Sequence, residues 1–555
     1  MIKENFIELY ENCFREHWKL PALTDYFKKE TFTYGEMASE IAKLHILFAE
    51  LKIKRGDKIA ILGRNNTRWC ISTLGAITYG AVAVPILQDF NANDVQHIIN
   101  HSGSRILFAG DRFFDYIDPE QTPAIEAVFS LTDFSNVWIR EKAFARTCER
   151  SNIERLFTRK HPKGMQANHI KYIHTPNTET MLINYTSGTT GFSKGVMLSG
   201  NSLCGNVLFG RSIKMHFVGS RALSFLPLAH AYGCAFDFLH PLMMGSHVTL
   251  LGKIPSPKVL IEALKDVRPH IIFMVPLIIE KLYKKQIIPK MDKMLTRLAL
   301  RIPTMEHHIY KAIRRKLINN FGGEFEQVII GGAALNPEVE AFLRKIEFPF
   351  TVGYGMTECG PLVSYTHTSE FKPTSCGKIL PGLMSIRIDS QEPTNIPGEI
   401  QVRGEHVMQG YYKNERATKE AFTEDGWLRT GDIGTVDEDG TVYLRGRSKT
   451  MLLGPSGQNI YPEEIESKLN SLIYVNESLI VERNKKLVAL VYPDYDQVDA
   501  DQISGTEALK QAMQNNLRQL NQMVAPYEQI SDIVLYPNEF EKTPKRSIKR
   551  YLYTV

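Results

Sequence analysis

The sequence predicts an α/β fold: a large N-terminal domain of two α/β subdomains plus a β-rich subdomain, followed by a small α+β C-terminal domain. Three observations carry that expectation. In the N-terminal half, short apolar runs alternate with helical periodicity, the signature of parallel layers. From about Gly377 to 446 the texture changes to strands punctuated by Gly and Pro. The final stretch, 447–555, reads as a compact α+β unit. A chain of 555 residues exceeds what one core can organise and predicts two to four domains or subdomains.

The first block is set by Lys58-Ile59-Ala60-Ile61-Leu62 as a strand, Arg68 to Tyr79 as a helix, and Ala81-Val82-Ala83-Val84-Pro85 as a strand. Asp94 to His101 follows as a helix, and Arg105-Ile106-Leu107-Phe108-Ala109 closes the set. A polar stretch from Arg159 to Thr180 reads as a linker. A second α/β block has candidate strands at Ala222–Phe225, His247–Leu251, His270–Val275 and Gln327–Ile330. Near the end, Pro462-Glu463-Glu464-Ile465 places proline and acids in a first helical turn, with Ile465, Leu469 and Leu472 on one face.

Composition narrows the class. Hydrophobic content of 43% and charged content of 23% are those of an ordinary globular enzyme. A net charge of +5 over this length suits anionic ligands and makes no case for nucleic acid. The seven cysteines (Cys13, Cys70, Cys148, Cys204, Cys234, Cys359, Cys376) are scattered without zinc spacing, which argues against disulfides and structural metal. The first residues lack the charged and apolar regions of a secretory signal, and the apolar stretches near Gly75–Leu87 and Ile271–Ile279 are too short to span a bilayer. A cytoplasmic protein is expected.

The most informative run is Tyr185-Thr186-Ser187-Gly188-Thr189-Thr190-Gly191-Phe192-Ser193-Lys194-Gly195. Glycines free the backbone N–H groups to close around phosphate oxygens, four hydroxyls add donors, and Lys194 adds a mobile charge. Met181 to Tyr185 reads as the buried strand that holds the loop. Walker A spacing cannot be drawn through it, and a Ser/Thr/Gly-rich surface turn is the plain alternative. Further segments make sense if the loop holds ATP. Gly331-Gly332-Ala333-Ala334 offers bare backbone to a purine. Gly353-Tyr354-Gly355-Met356-Thr357-Glu358 sets an aromatic ring between glycines, then a hydroxyl and a carboxylate. A carboxylate beside phosphates calls for a hard cation between them, so Glu358 is a Mg²⁺ ligand candidate. Asp432 is placed to accept ribose hydroxyls, and Arg447 to donate to the same sugar.

In that order these motifs resemble the adenylate-forming (AMP-binding) superfamily of acyl-CoA synthetases, luciferases and peptide-synthetase adenylation domains, from about residue 20 to the C-terminus. Leu226-Pro227-Leu228-Ala229-His230 and Gly457-Gln458-Asn459-Ile460-Tyr461-Pro462-Glu463-Glu464-Ile465-Glu466 are most similar to bacterial long-chain fatty acyl-CoA synthetases. The resemblance implies a mobile C-terminal domain and ATP, Mg²⁺, CoA and a fatty acid as ligands. It implies that Thr186, Ser187, Gly188, Thr189, Thr190, Gly191 and Lys194 hold phosphates, and that Gly331, Gly332 and Ala333, with Gly353, Tyr354 and Gly355, enclose adenine. Thr357 would touch the α-phosphate, Glu358 the Mg²⁺, and Asp432 and Arg447 the ribose. His230 would border the acyl channel, with Tyr232 and Gly233 nearby, and Lys449 would be the hinge.

Two departures stand out. Ser193 occupies a position where the resembled family has proline, at a small cost in rigidity. More serious, the family's C-terminal Lys-Thr-x-x-Gly-Lys-Ile-x-Arg becomes Lys542-Thr543-Pro544-Lys545-Arg546-Ser547-Ile548-Lys549-Arg550. The lysine that meets the α-phosphate falls on Ser547. Losing one preorganised charge costs about 3–4 kcal/mol, or roughly 10²–10³ in rate. In an extended segment Lys545 and Lys549 share a face with Ser547, so one of them, Lys549 first, is expected to replace it. Carrier protein as acceptor, an aryl or amino acid substrate (Asp237 resembling an amino-group binder), and a non-catalytic sensor remain open alternatives.

One segment bears on location. Between Lys281 and Lys316 there are eleven Lys/Arg against two acids, Asp292 and Glu306, with Leu295, Leu298, Ala299, Ile302, Ile309, Ala312, Ile313 and Leu317 near helical spacing. A basic amphipathic helix can lie on an anionic bilayer. A solvated helix pair over the core is the competing reading.

Overall fold

The structure is a computed structural model that describes residues 2–186, 193–252, 255–291, 298–453, 458–484, 486–501, 503, 505–543 and 547–553. Its centre is an eight-stranded sheet. Strands Lys58–Leu62, Val82–Ile86, Ser104–Ala109, Ala127–Ser130 and Thr180–Thr186 run parallel, with antiparallel Asn136–Ile139 at one edge and Lys194–Ser199, then Gly410–Tyr411, at the other. The parallel strands are almost wholly buried, which is why they read as unbroken apolar runs. Helix Thr67–Tyr79 starts where Asn66 accepts the Trp69 N–H and ends at left-handed Gly80 (φ 88°).

The second block holds two parallel arrangements. Arg221–Ser224, His247–Leu250 and Pro21–Asp25 run parallel, and Glu30–Thr33 adds an antiparallel edge. Residues 21–33 therefore enter a sheet far from them in sequence, a placement that local pattern does not reveal. Ile271–Met274, Gln327–Ile330 and Phe350–Val352 form the other, a three-stranded parallel sheet. Antiparallel strands follow: Tyr354–Gly355, Leu362–Tyr365 and Lys378–Ile379 in one sheet, then Met384–Asp389, Gly398–Gly404, Leu428–Val436 and Val442–Arg447 in another. One continuous hydrophobic core runs from Phe6 to Val442, and a separate core begins at Ile460, under helix Pro462–Leu469 and the sheet Val475–Arg483, Lys486–Pro493 and Asp532–Leu535.

Two expectations need correction. The stretch read as a linker from Arg159 begins inside helix Arg150–Lys160 and only then becomes irregular. The basic segment 281–316 is not one amphipathic helix: Pro276–Leu282 passes into π-helical turns at Tyr283–Ile287, and a separate helix spans Pro303–Asn320. That last helix buries only Leu317, and Ala312 of the expected apolar face is exposed. Asp292, Lys293, Leu295 and Arg297 lie outside the described residues. Among the described residues no helix is long and apolar enough to cross a membrane.

Candidate active site

The glycine-rich run falls between two antiparallel strands, Thr180–Thr186 and Lys194–Ser199, in which Thr186 pairs opposite Lys194. Ser187, Gly188, Thr189, Thr190 and Gly191 lie outside the described residues. At the start of the second strand Lys194 Nζ stands 4.9 Å from the centre of the Tyr411 ring, a cation–π distance. The same Tyr411 hydroxyl donates to Glu358 Oε1 at 2.9 Å. Tyr411 is held by strand pairing to Val196 and by its own N–H on Thr418 Oγ1, and the Met408 N–H donates to the Glu358 carbonyl. Burial, with Glu358 adjacent, pushes the phenol's pKa far up, so it stays a donor at neutral pH. One ring thus ties the expected phosphate lysine to the expected metal carboxylate. Sequence reading missed Tyr411; an aromatic pair after glycine in a polar stretch was its only signal.

Beside this pair sits Asp432. Its Oδ2 accepts the Tyr354 hydroxyl at 2.8 Å, and Arg447 Nε lies 3.3 Å from Oδ1. Register brings them together, since Asp432 and Arg447 face each other across antiparallel strands. Burial raises the Asp432 pKa, Arg447 and the Tyr354 hydroxyl pull it back, and Glu358 and Glu463 raise it again. Tyr354 is buried with its hydroxyl committed, a fixed wall rather than a free ring. Glycines that no side chain could replace without clash or strain surround it. A Cβ on Gly355 would fall 2.3 Å from the Pro361 carbonyl, and Gly332 holds φ at 89°, where side chains are strained. Gly332 and Ala333 are exposed, whereas Gly331 packs on Tyr232, whose hydroxyl donates to the Ile329 carbonyl. Gly353 leads from the strand end into Tyr354, and Thr357 is buried in a 3₁₀ turn with Glu358.

His230 follows strand Arg221–Ser224 on a loop held from three sides. Asn65 donates to the Leu226 carbonyl (2.7 Å) and accepts the Leu228 N–H (3.0 Å), while Asn184 donates to the Ala229 carbonyl (3.0 Å). The Leu226 N–H reaches Asp237 Oδ2 at 3.3 Å. His230 Nδ1 in turn accepts the Tyr232 N–H. Asp237 is buried on a π-helical turn, its carboxylate engaged by the Leu226 N–H, and desolvation holds its carboxyl far above the usual range. Asn184 also lines a small void of about 10 Å³ with Ala231, Cys234, Ala235 and Leu239. Asn65 and Asn184 were not singled out from sequence, although an amide inside the apolar run Met181–Tyr185 is a legible oddity.

The C-terminal segment overturns one expectation. The described ends of the segment fold back on each other: Lys542 and Ile548 bridge antiparallel, and the Thr543 N–H donates to the Ser547 carbonyl at 2.8 Å. The shared-face argument for Lys545 and Lys549 falls with it. Lys549 Nζ lies 3.4 Å from Glu541 Oε2, and Lys545 is outside the described residues. Arg550 is drawn onto Glu466 and Glu463 of helix Pro462–Leu469. That helix also meets the large core at its other end. Lys284 donates to the carbonyls of Asn470 and Val475, and Asn336 Nδ2 donates to the Ser467 carbonyl and Ser471 Oγ, each at 2.9 Å. Lys449 is exposed in a turn whose Ser448 N–H donates to the Gly431 carbonyl.

Among the described residues no three metal-binding side chains converge. A lone carboxylate steadied by a phenol fits Mg²⁺, which keeps most of its shell as water and phosphate oxygen. Bare backbone at strand ends, a lysine, and two carboxylates held by tyrosines define a nucleotide-binding α/β enzyme. The sequence profile of the AMP-binding enzyme family matches residues 10–412. The chain belongs to the AMP-binding enzyme family.

Relatives and solved structures agree. The chain is 28% identical over 475 residues to a long-chain-fatty-acid–CoA ligase, FadD15, of Mycobacterium bovis, covering 81% of this chain and 75% of that one. It is 26% identical over 537 residues to the long-chain-fatty-acid–CoA ligase ACSBG2 of Rattus norvegicus, covering 90% and 78%. Among structures, ATP-bound MatB of Rhodopseudomonas palustris superposes with TM-score 0.75 at 19% identity, covering 98% of each chain. The o-succinylbenzoate CoA synthetase MenE of Bacillus subtilis, bound to its acyl-adenylate, gives 0.73 at 20% identity, covering 100% of this chain and 98% of the other. These structures share the fold, a large N-terminal and a small C-terminal domain.

Proposed function

We propose that this chain is an ATP-dependent fatty acid–CoA ligase acting by two in-line displacements. The observation that carries the reading is the placement of Lys194 and Glu358 on one tyrosine ring beside Asp432, in a family whose curated relatives are named long-chain-fatty-acid–CoA ligases. In the first step the fatty carboxylate attacks the α-phosphorus of ATP, giving acyl-adenylate and expelling pyrophosphate. Thr186 and Lys194, with residues 187–191, receive the departing phosphates. Thr357 meets the α-phosphate, and Asp432 with Arg447 holds the ribose. Gly331 to Ala333 and Gly353 to Gly355 bound the adenine. Mg²⁺, held through Glu358, supplies charge neutralisation to the phosphates.

In the second step the CoA thiol attacks the acyl carbonyl, releasing AMP. The division at 446/447 and a hinge at Lys449 let the C-terminal domain serve each step in turn, and two closures protect a hydrolysable intermediate. Lys549 or Lys545 brings the charge that Ser547 lacks, which requires the Lys542–Ile548 bridge to reorient toward the α-phosphate. Because fatty acids partition into bilayers, the reading includes a cytoplasmic protein with peripheral membrane contact through 281–316. ATP–pyrophosphate exchange across fatty, aromatic and amino acids tests the substrate, and CoA against carrier protein tests the acceptor. Exchange with no fatty acid would overturn the ligase reading.

A further inference from the structure

We infer that the start of helix Pro303–Asn320, with the turn before it, is a docking surface for an anionic lipid bilayer. The inference rests on the ligase reading for its motive, a substrate that dissolves in membranes, and deepens it by naming the surface and the lipid charge.

The geometry comes from the helix itself. At about 100° per residue, Tyr310, Ile313 and Leu317 fall on one side and pack on the core. Met305, Ala312 and Arg315 fall on the opposite side, with Lys311 and Lys316 at its margins, and all five are exposed. Just ahead, Leu298 and Ile302 leave half their surface in solvent (50% and 49%), as does Met305 (48%). Three large apolar side chains within two turns, standing clear of the core, are not ordinary surface.

Charge decides what covers them. The one described acid of this stretch, Glu306, is neutralised by Lys345 at 2.7 Å, and Arg314 is taken by Glu347 at 3.2 Å. Among the described residues Lys311, Arg315 and Lys316 form no ion pair. The exposed face is therefore apolar at its tip and cationic along its length. A neutral protein partner would leave three cations desolvated; anionic headgroups take the cations while acyl chains take Leu298, Ile302 and Met305. Long stems let lysine and arginine reach headgroups while the helix lies lower.

The test is co-sedimentation with phosphatidylcholine vesicles, with and without a quarter of phosphatidylglycerol, in the absence of ATP. Binding should favour the anionic vesicles by at least about 10-fold and fall with salt, since each cation is worth about five-fold at such a surface. Lys311→Ala/Arg315→Ala/Lys316→Ala should lose about 10²-fold on anionic vesicles. Ile302→Asp/Met305→Asp should lose binding to both kinds. Equal binding to neutral and anionic vesicles, or a triple variant within about three-fold of wild type, overturns the inference. So does a change in oligomeric mass in place of vesicle binding, which would make the face an interface between copies. Pyrophosphate release with a soluble medium-chain acid and no vesicles should be unchanged in these variants. If wild type releases none there while vesicle binding stands, the ligase reading fails and the surface does not.

Discussion

Replacing Lys284 with methionine should separate the two half-reactions. The ammonium is largely buried, its pKa lowered by that burial and pulled back by Glu280, and it donates to the carbonyls of Asn470 and Val475. Asn470 caps the C-terminal end of helix Pro462–Leu469, where carbonyls and the helix dipole favour a cation. Methionine keeps the apolar stem and removes both bonds. Hydrogen bonds to a charged group are each worth about 1.5–3 kcal/mol. Desolvation of the lysine opposes them, and water re-bonds the carbonyls once the domains part, so the net loss should be about 1–3 kcal/mol, or roughly 5–150-fold in the docked population.

This docked arrangement brings Glu463 near enough for its charge to raise the Asp432 pKa, and leaves Lys549 against Glu541, inside its own domain. It therefore suits the step that does not need Lys549. First-turnover pyrophosphate release by Lys284→Met should stay within about three-fold of wild type. CoA attack on preformed acyl-adenylate should slow by about 10-fold, with wider domain separation in solution scattering. A fall confined to adenylation would show that the docked arrangement serves the other step. No change in either rate, with unchanged scattering, would refute a role for the contact.

Two further outcomes test the site and its support. Tyr411→Phe removes the donor from Glu358 while keeping the ring under Lys194, so the Mg²⁺ concentration for half-maximal ATP binding should rise about 10-fold; calorimetric titration with AMP, which needs no metal, should be unaffected. Half-buried His45 and fully buried His240 and His406 each have pKa lowered by desolvation from 6.5 to about 4. Their stabilisation is whole above about pH 6.5 and is lost as pH falls toward 4, because the unfolded chain takes up the protons first. At pH 5 the loss is about 2 kcal/mol per imidazole. The urea midpoint should drop between pH 7 and 5, with His216, lowered further still by burial, adding to it, and His406→Gln should remove about 2 kcal/mol of the drop; an unchanged midpoint would contradict it.

What could be seen in the sequence was what is local. Lys58–Leu62 and Gln327–Ile330 were legible because a strand buried on both faces must be apolar throughout, and the glycines at 331–332 and 353–355 because bare backbone leaves its mark in composition. What could not be seen was what register and distant packing create. Asp432 and Arg447 were singled out separately, yet only the antiparallel pairing makes them neighbours, and only the 408–412 segment's return to Lys194–Ser199 brings Tyr411 between Lys194 and Glu358.

The same limit explains the error at the C-terminus. Period-2 reasoning assumes an extended chain, whereas Lys542 and Ile548 pair antiparallel and so close the segment on itself. A closed loop ties the lysine's direction to the loop rather than to the residue count from Ser547. If Lys549 serves adenylation, it must leave Glu541 and the loop must reorient as a body, with Arg550 on Glu466 as its fixed point. Ser547, whose carbonyl accepts the Thr543 N–H, then sits on the returning side of that closure, and Lys549, two residues on, carries the charge in its place. The substitution is intelligible as a change in which residue the loop presents, and the loop's anchor explains why Arg550 keeps its place while the lysine does not.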